Sequence, residues 1–125
     1  MSSLVKSLIE IQNRLKVPKS QFNEFGGYHY RSAEDILEAV KPLNAEKGLL
    51  LTLTDEPVVI GDRHYIKATA TITDGKDSHS VTAYAREAET RKKQDESQIT
   101  GTASSYARKY ALNGLYLIDD TKDAD

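Results

Sequence analysis

Apolar residues recur at helical spacing from the start of the chain. Leu4, Leu8, Ile11 and Leu15 form one stripe, and Val5 and Ile9 widen it. This period predicts an amphipathic helix over 3–16. Ser3 is placed to cap it. Val17-Pro18 ends it, because the residue before a proline avoids the helical region. Four aromatics then surround Gly26-Gly27 in Phe22 to Arg31, which predicts a turn packed on the body between short extended pieces. Ser32 and Asp35 sit at N-cap and N3 spacing and open a second helix whose apolar face is Ile36, Leu37, Val40 and Leu43. Pro42 is expected to end or kink that helix, and Gly48 to stop it.

The period then changes to two. Residues 49–54 and 58–61 read as a strand broken near Asp55-Glu56-Pro57, followed by strands over 63–73 and 78–87. The turn Asp74-Gly75-Lys76-Asp77 joins the last two. Pairing Thr73 with Ser78 sets Ala70 against Val81, Ala68 against Ala83 and Ile66 against Ala85 on a small apolar face. The other face pairs Thr69 with Thr82, Lys67 with Tyr84 and Tyr65 with Arg86. A slip of one residue would destroy both patterns, so the register is specified. Residues 88–98 carry no apolar period and read as a mobile loop. A last helix is expected from Ile99 or Thr100 to Asn113, with Ile99, Ala103, Tyr106 and Tyr110 as its face and Ala107 and Ala111 allowing close approach to the sheet. Leu115 to Ile118 would dock after it. The fold class is α+β, with helices packed on a three-stranded antiparallel sheet.

At 125 residues the chain suits one domain. We place it at 1–118, followed by an acidic end over 119–125. Charge changes the picture in its distribution. Formal net charge is −2, yet four aspartates against Lys122 leave the last seven residues at −3 and the remainder at +1. A nearly neutral body can hold a local basic groove. Cysteine is absent, which excludes disulfides and thiolate metal sites. No apolar run approaches the roughly 20 residues that span a bilayer, and no signal peptide is evident.

Catalytic chemistry has little material. The histidines His29, His64 and His79 are isolated. No Gly-x-Ser-x-Gly elbow occurs, and Gly101-Thr102-Ala103-Ser104-Ser105 lacks the ending of a phosphate loop. Asp119, Asp120 and Asp123 lack the calcium-loop pattern. We expect no enzyme, no metal and no cofactor. Nucleic-acid binding is better supplied. Arg86, Arg91, Lys92 and Lys93 flank the third strand and the loop. Arg108 and Lys109 lie on the last helix beside Tyr106 and Tyr110, and Lys67 lies on the polar sheet face. Tyr65, Tyr84 and Tyr28 are candidates for base or sugar contacts, since an aromatic ring accepts any base. Read alone, Arg91-Lys92-Lys93 fits a solvated loop better than a specific contact, and the tyrosines of the last helix fit a core.

Two blocks add a resemblance. Phe25-Gly26-Gly27-Tyr28-His29-Tyr30-Arg31-Ser32-Ala33-Glu34-Asp35-Ile36, with Val40-Lys41-Pro42-Leu43 and Gly48-Leu49, resembles the first signature of the ERF family of phage single-strand annealing proteins. Gly101 to Leu112, with Leu115 to Ile118 and Asp119-Asp120, resembles the second. The blocks occur in order and cover nearly the whole chain, from about residue 5 to 123. Ser105 stands where the family often has threonine, and Lys109 where it often has arginine. The resemblance implies a β-β-β-α core like the Rad52-like annealing fold. It also implies ATP-independent binding of single-stranded DNA, and annealing through a basic groove in a ring or helical homo-oligomer. Arg108 and Lys109 then match backbone-contacting positions and Arg31 a phosphate contact. Tyr106, Tyr110, Gly26, Gly27, Gly101 and Gly114 match structural positions. Implied partners are single-stranded DNA, further copies of the chain, a phage exonuclease and a host single-strand-binding protein. The implied location is the cytoplasm of a bacterial host. Family members often continue past the Asp-Asp pair, so the chain is expected to be a minimal or truncated member. Two alternatives stand beside this: a module like a double-stranded RNA-binding domain, and a structural oligomerisation protein without nucleic-acid activity.

Overall fold

Ser2, one residue earlier than expected, caps the first helix: its hydroxyl accepts from the Val5 N–H at 3.1 Å. The computed structural model describes residues 2–87 and 96–118, and the side chains of all of these except 96–100. Helix α1 spans Ser3–Arg14 and buries Leu4, Leu8 and Ile11, the expected stripe. Leu15, at ψ 126°, is already extended, so the helix ends two residues before Val17.

The aromatic turn is a two-stranded antiparallel ribbon, β1 (Gln21–Asn23) and β2 (Tyr28–Tyr30). Asn23 organises its tip. Its side-chain oxygen accepts from the Gly26 N–H at 3.0 Å, and its backbone carbonyl from the Gly27 N–H at 2.8 Å. Gly27 has φ +66°, a conformation that favours glycine. A Cβ at Gly26 would lie 2.2 Å from Cε1 of Tyr28, so only glycine lets that ring fold back. The tip does not pack throughout on the body: Phe25 is fully exposed.

Helix α2 spans Ala33–Lys47. Ser32 and Asp35 form a reciprocal capping box, with Asp35 taking the place of the usual Glu or Gln. Pro42 does not end the helix. Pro42 and the residue whose carbonyl it strands, Glu38, are both exposed, so water can satisfy the carbonyl while Ile36 and Val40 hold the helix by burial. Gly48 closes it at φ +67°. Lys47 and Arg14 both pair with Glu10, at 2.8 and 3.0 Å, and Arg14 also pairs with Glu46, tying α1 to α2.

The main sheet has the order β3-β4-β5, with β3 at Leu50–Ile60, β4 at Arg63–Thr73 and β5 at Ser78–Arg86. The β4–β5 register is the expected one, from Thr73 opposite Ser78 to Tyr65 opposite Arg86. Strand β3 is unbroken through Asp55-Glu56-Pro57. It is an edge strand, where a missing N–H can face outward without costing a ladder bond. Ile66, Ala68, Ala70 and Ile72 of β4 are buried on one face. The opposite face carries a hydroxyl ladder, with Thr71 and Ser80 at 2.7 Å and Thr69 and Thr82 at 3.4 Å.

Helix α3, Glu96–Tyr116, crosses the apolar face against β4 and β5, and α1 and α2 pack beside it. It is longer than expected at both ends and absorbs Gly101 and Gly114. Its buried seam is Ala103, Ala107, Ala111, Leu112 and Leu115, whereas Tyr106 is 43% exposed. Three alanines a turn apart let the helix approach the strands closely. At Gly114 a Cβ would stand 2.9 Å from Cγ1 of Val81. Tyr116 is the last buried ring, and Asn44 donates to its hydroxyl at 3.3 Å. Leu117, at φ +56°, ends the helix, and the Ile118 N–H returns to the Asn113 carbonyl at 3.0 Å. Among the described residues, no helix is long and apolar enough to cross a membrane.

Candidate nucleic-acid interface

Helical geometry puts Thr102, Ser105, Tyr106 and Lys109 on one stripe of α3, at spacings of three, four and seven. The ribbon β1–β2 and the start of α2 face this stripe. Between them lies a recess of about 320 Å³, lined by Tyr28, Tyr30, Arg31, Ser32 and Glu34 on one side and by the α3 stripe on the other. The two blocks of sequence that carry the resemblance therefore meet across one hollow.

Two cations sit in its walls. Lys109 is 6% exposed, and its ammonium lies 5.9 Å from the centroid of the Tyr30 ring. An ammonium over an aromatic face is attracted by the ring quadrupole, more so once desolvated. Arg31 is 9% exposed and donates from Nε to the Val17 carbonyl at 2.9 Å, which anchors the segment after α1. Both residues, which the resemblance offers as phosphate contacts, are largely buried in the wall of the recess. Tyr28 and Tyr30 stand with ring centroids 6.1 Å apart, and Asn23 donates to the Tyr28 hydroxyl at 3.1 Å.

A second recess, about 340 Å³, opens at the outer edge of β5, lined by Tyr84, Ala85, Arg86, Tyr106 and Tyr110. Tyr106 and Tyr110 stack with centroids 6.0 Å apart and planes 26° from parallel. Tyr106 is common to both recesses. It is a surface ring between two hollows, not part of the core face expected for it.

The other expected residues scatter. Arg108 is half-buried on α3 and lines neither recess. Tyr65 and Lys67 lie on the hydroxylated sheet face, opposite Arg86 and Tyr84 respectively, with Lys67 Nζ 3.9 Å from Glu56. Arg91, Lys92 and Lys93 fall outside the described residues, as does the acidic end. Gly101 is exposed on α3, one residue before Thr102, and among the described residues no atom lies within 4 Å of the place a Cβ would take. On the sheet-facing side, the Ser104 hydroxyl donates to the Asp55 carboxylate and links α3 to β3. Among the described residues, no cluster of three or more His, Cys, Asp or Glu is placed to hold a metal ion.

Sequence reasoning missed Tyr30 as the partner of Lys109. It also missed Thr102 and Ser105 as wall residues, although their spacing with Tyr106 and Lys109 carried the signal.

The family model described as ERF superfamily matches residues 4–125. The chain is 64% identical over 118 residues to the Essential recombination function protein of Salmonella phage P22. That alignment covers 94% of this chain and 57% of the relative, so the chain spans little more than half of the protein it matches. No solved structure matches the chain.

Proposed function

The chain belongs to the ERF superfamily, and from that premise we propose that it binds single-stranded DNA and anneals complementary strands in phage recombination, without ATP. The observation that carries this reading is the run of groups around α3. Arg31 and Lys109 line one recess, the stacked pair Tyr106–Tyr110 follows, and Tyr84 and Arg86 line the next. Cations and exposed tyrosines in sequence suit a sugar-phosphate chain whose bases are of any type. The name of the phage P22 relative, which concerns recombination, agrees with it.

In this reading the cations lower the charge of the bound strand, so a second strand can approach it. Pairing and stacking then supply the driving energy. Further copies of the chain would extend the track, and affinity would gain by multivalency. Arg108, half-exposed on the same helix, adds to the field along the track. The strand would be held by its backbone and by ring faces, so binding carries no sequence choice.

The test is anisotropy with labelled single-stranded DNA, duplex DNA and duplex RNA over a salt titration, together with a two-strand annealing assay. Salt-sensitive preference for single strands, weakened in Arg86→Ala/Arg108→Ala, is the expected result. Annealing no faster than salt alone gives, or a preference for duplex RNA, would overturn the proposal.

A further inference from the structure

We propose that the recess between the β1–β2 ribbon and α3 takes one unstacked nucleotide, its base against the tyrosine rings and its phosphate toward Lys109 and Arg31. This deepens the reading above and rests on it.

The volume, about 320 Å³, lies at the lower end of the range of pockets that enclose small ligands. The lining has two characters. Tyr28, Tyr30 and Tyr106 contribute three ring surfaces, and Lys109, Arg31 and Glu34 contribute charged groups to the same lining. An inorganic anion would use the charges and leave the rings idle. An apolar ligand would use the rings and oppose the charges. A nucleotide uses both.

A further feature lies one residue before the α3 wall of the recess. Gly101 is exposed within a helix, where glycine costs about 1 kcal/mol relative to alanine. Among the described residues, no atom lies within 4 Å of the place its Cβ would take. Beside it, Thr102 and Ser105 are short and hydroxylated. Small residues at this stretch leave room for an external backbone to come close to the helix, with hydroxyls in reach of its oxygens. The α3 side is thus low and polar, and the ribbon side is aromatic.

The experiment uses the full chain. Amide NMR shifts of Gly101, Thr102 and Ser105 are followed on titration with deoxyadenosine monophosphate, and separately with inorganic phosphate. In parallel, the anisotropy of a labelled oligonucleotide reports strand binding. The variant is Ser105→Tyr, which fills the recess from an exposed helical position, with a thermal melt to check the fold. We expect the nucleotide to shift these amides at concentrations where phosphate does not. Ser105→Tyr should abolish the shifts and weaken the oligonucleotide about tenfold, the scale of one lost stacking contact. Equal responses to nucleotide and phosphate would mark a plain anion site and overturn the proposal. An oligonucleotide that binds while the nucleotide moves none of these amides would overturn the pocket and leave the strand-binding reading standing. Failure of both ligands at low salt would sink the two together.

Discussion

The ammonium of Lys109 lies 5.9 Å from the centroid of Tyr30, and the lysine is almost wholly buried. This contact joins the ribbon to the last helix, so Lys109 holds the fold as well as lining the recess. Replacing it with alanine removes both the cation–ring attraction and the packing of the stem. We expect Lys109→Ala to lose about 2 kcal/mol in urea denaturation, and Arg108→Ala to lose well under about 1 kcal/mol. Lys109→Met, which keeps a stem of similar length, should recover part of the loss. Equal stability of the lysine and arginine variants would mean that the contact carries no weight.

Two glycines of α3 should respond in opposite directions to alanine. At Gly114 the new methyl would press on Val81, a β-branched side chain with little rotamer freedom. We expect Gly114→Ala to destabilise by about 1–2 kcal/mol, since overpacking outweighs the gain in helix propensity. A second change, Val81→Ala, should lessen the added cost of Gly114→Ala, which a double-mutant cycle would measure. Gly101→Ala meets open space and should stabilise by up to about 1 kcal/mol.

Asp35 gives a pH dependence of known sign. Backbone and side-chain hydrogen bonds from Ser32, and a weaker one from Gln21, hold its carboxyl below the usual aspartate value. A lowered folded-state value stabilises the protein above the unfolded value of about 3.9, and the contribution is lost as pH falls through the folded value. Thermal melts from pH 6 down to pH 2 should show a shallower decline in Asp35→Asn than in the parent. Parallel curves would show that the capping box does not titrate as described.

Tyr116 acts at the other end of the scale. Burial pushes its phenol above the ordinary tyrosine value, more than the hydrogen bond from Asn44 lowers it. Folding therefore favours the protonated ring, and that stability is lost as pH rises above about 10 and through the folded value. Asn44 is itself buried, and its Oδ1 has no hydrogen-bond partner among the described residues, so the bond to Tyr116 is its side chain's link to the core. Tyr116→Phe should cost about 1–2 kcal/mol at neutral pH and flatten the alkaline limb of the melting curve.

Much of the sheet was legible because alternation leaves little choice. Once Thr73 faces Ser78, the small apolar residues of β4 and β5 fall on one side and the hydroxyls on the other. The caps were legible for the same local reason, as Ser32 with Asp35 and Gly48 show. What failed depended on position in the whole. Pro57 and Pro42 read as breaks, yet one lies on an edge strand and the other on an exposed helix surface, where solvent can stand in for lost bonds. On α3 the alanines Ala103, Ala107 and Ala111 were legible as the side close to the sheet, and Tyr106 was misjudged because its ring gives a strong apolar signal although it stands at the surface. At the candidate site, Tyr28 and Lys109 were named from their residue types and Arg31 from the family resemblance. Their burial around a shared hollow was not legible, because it depends on Tyr30 arriving from a distant segment.

The position of Tyr106 as a wall common to both recesses has a thermodynamic consequence. A ring that moved to suit an occupant of one hollow would reshape the wall of the other. Any effect of a first occupant on a second would then be reciprocal: whatever factor the first imposes on the second, the second imposes on the first. Were both hollows filled as proposed, that one side chain would be the place where their occupants could be coupled.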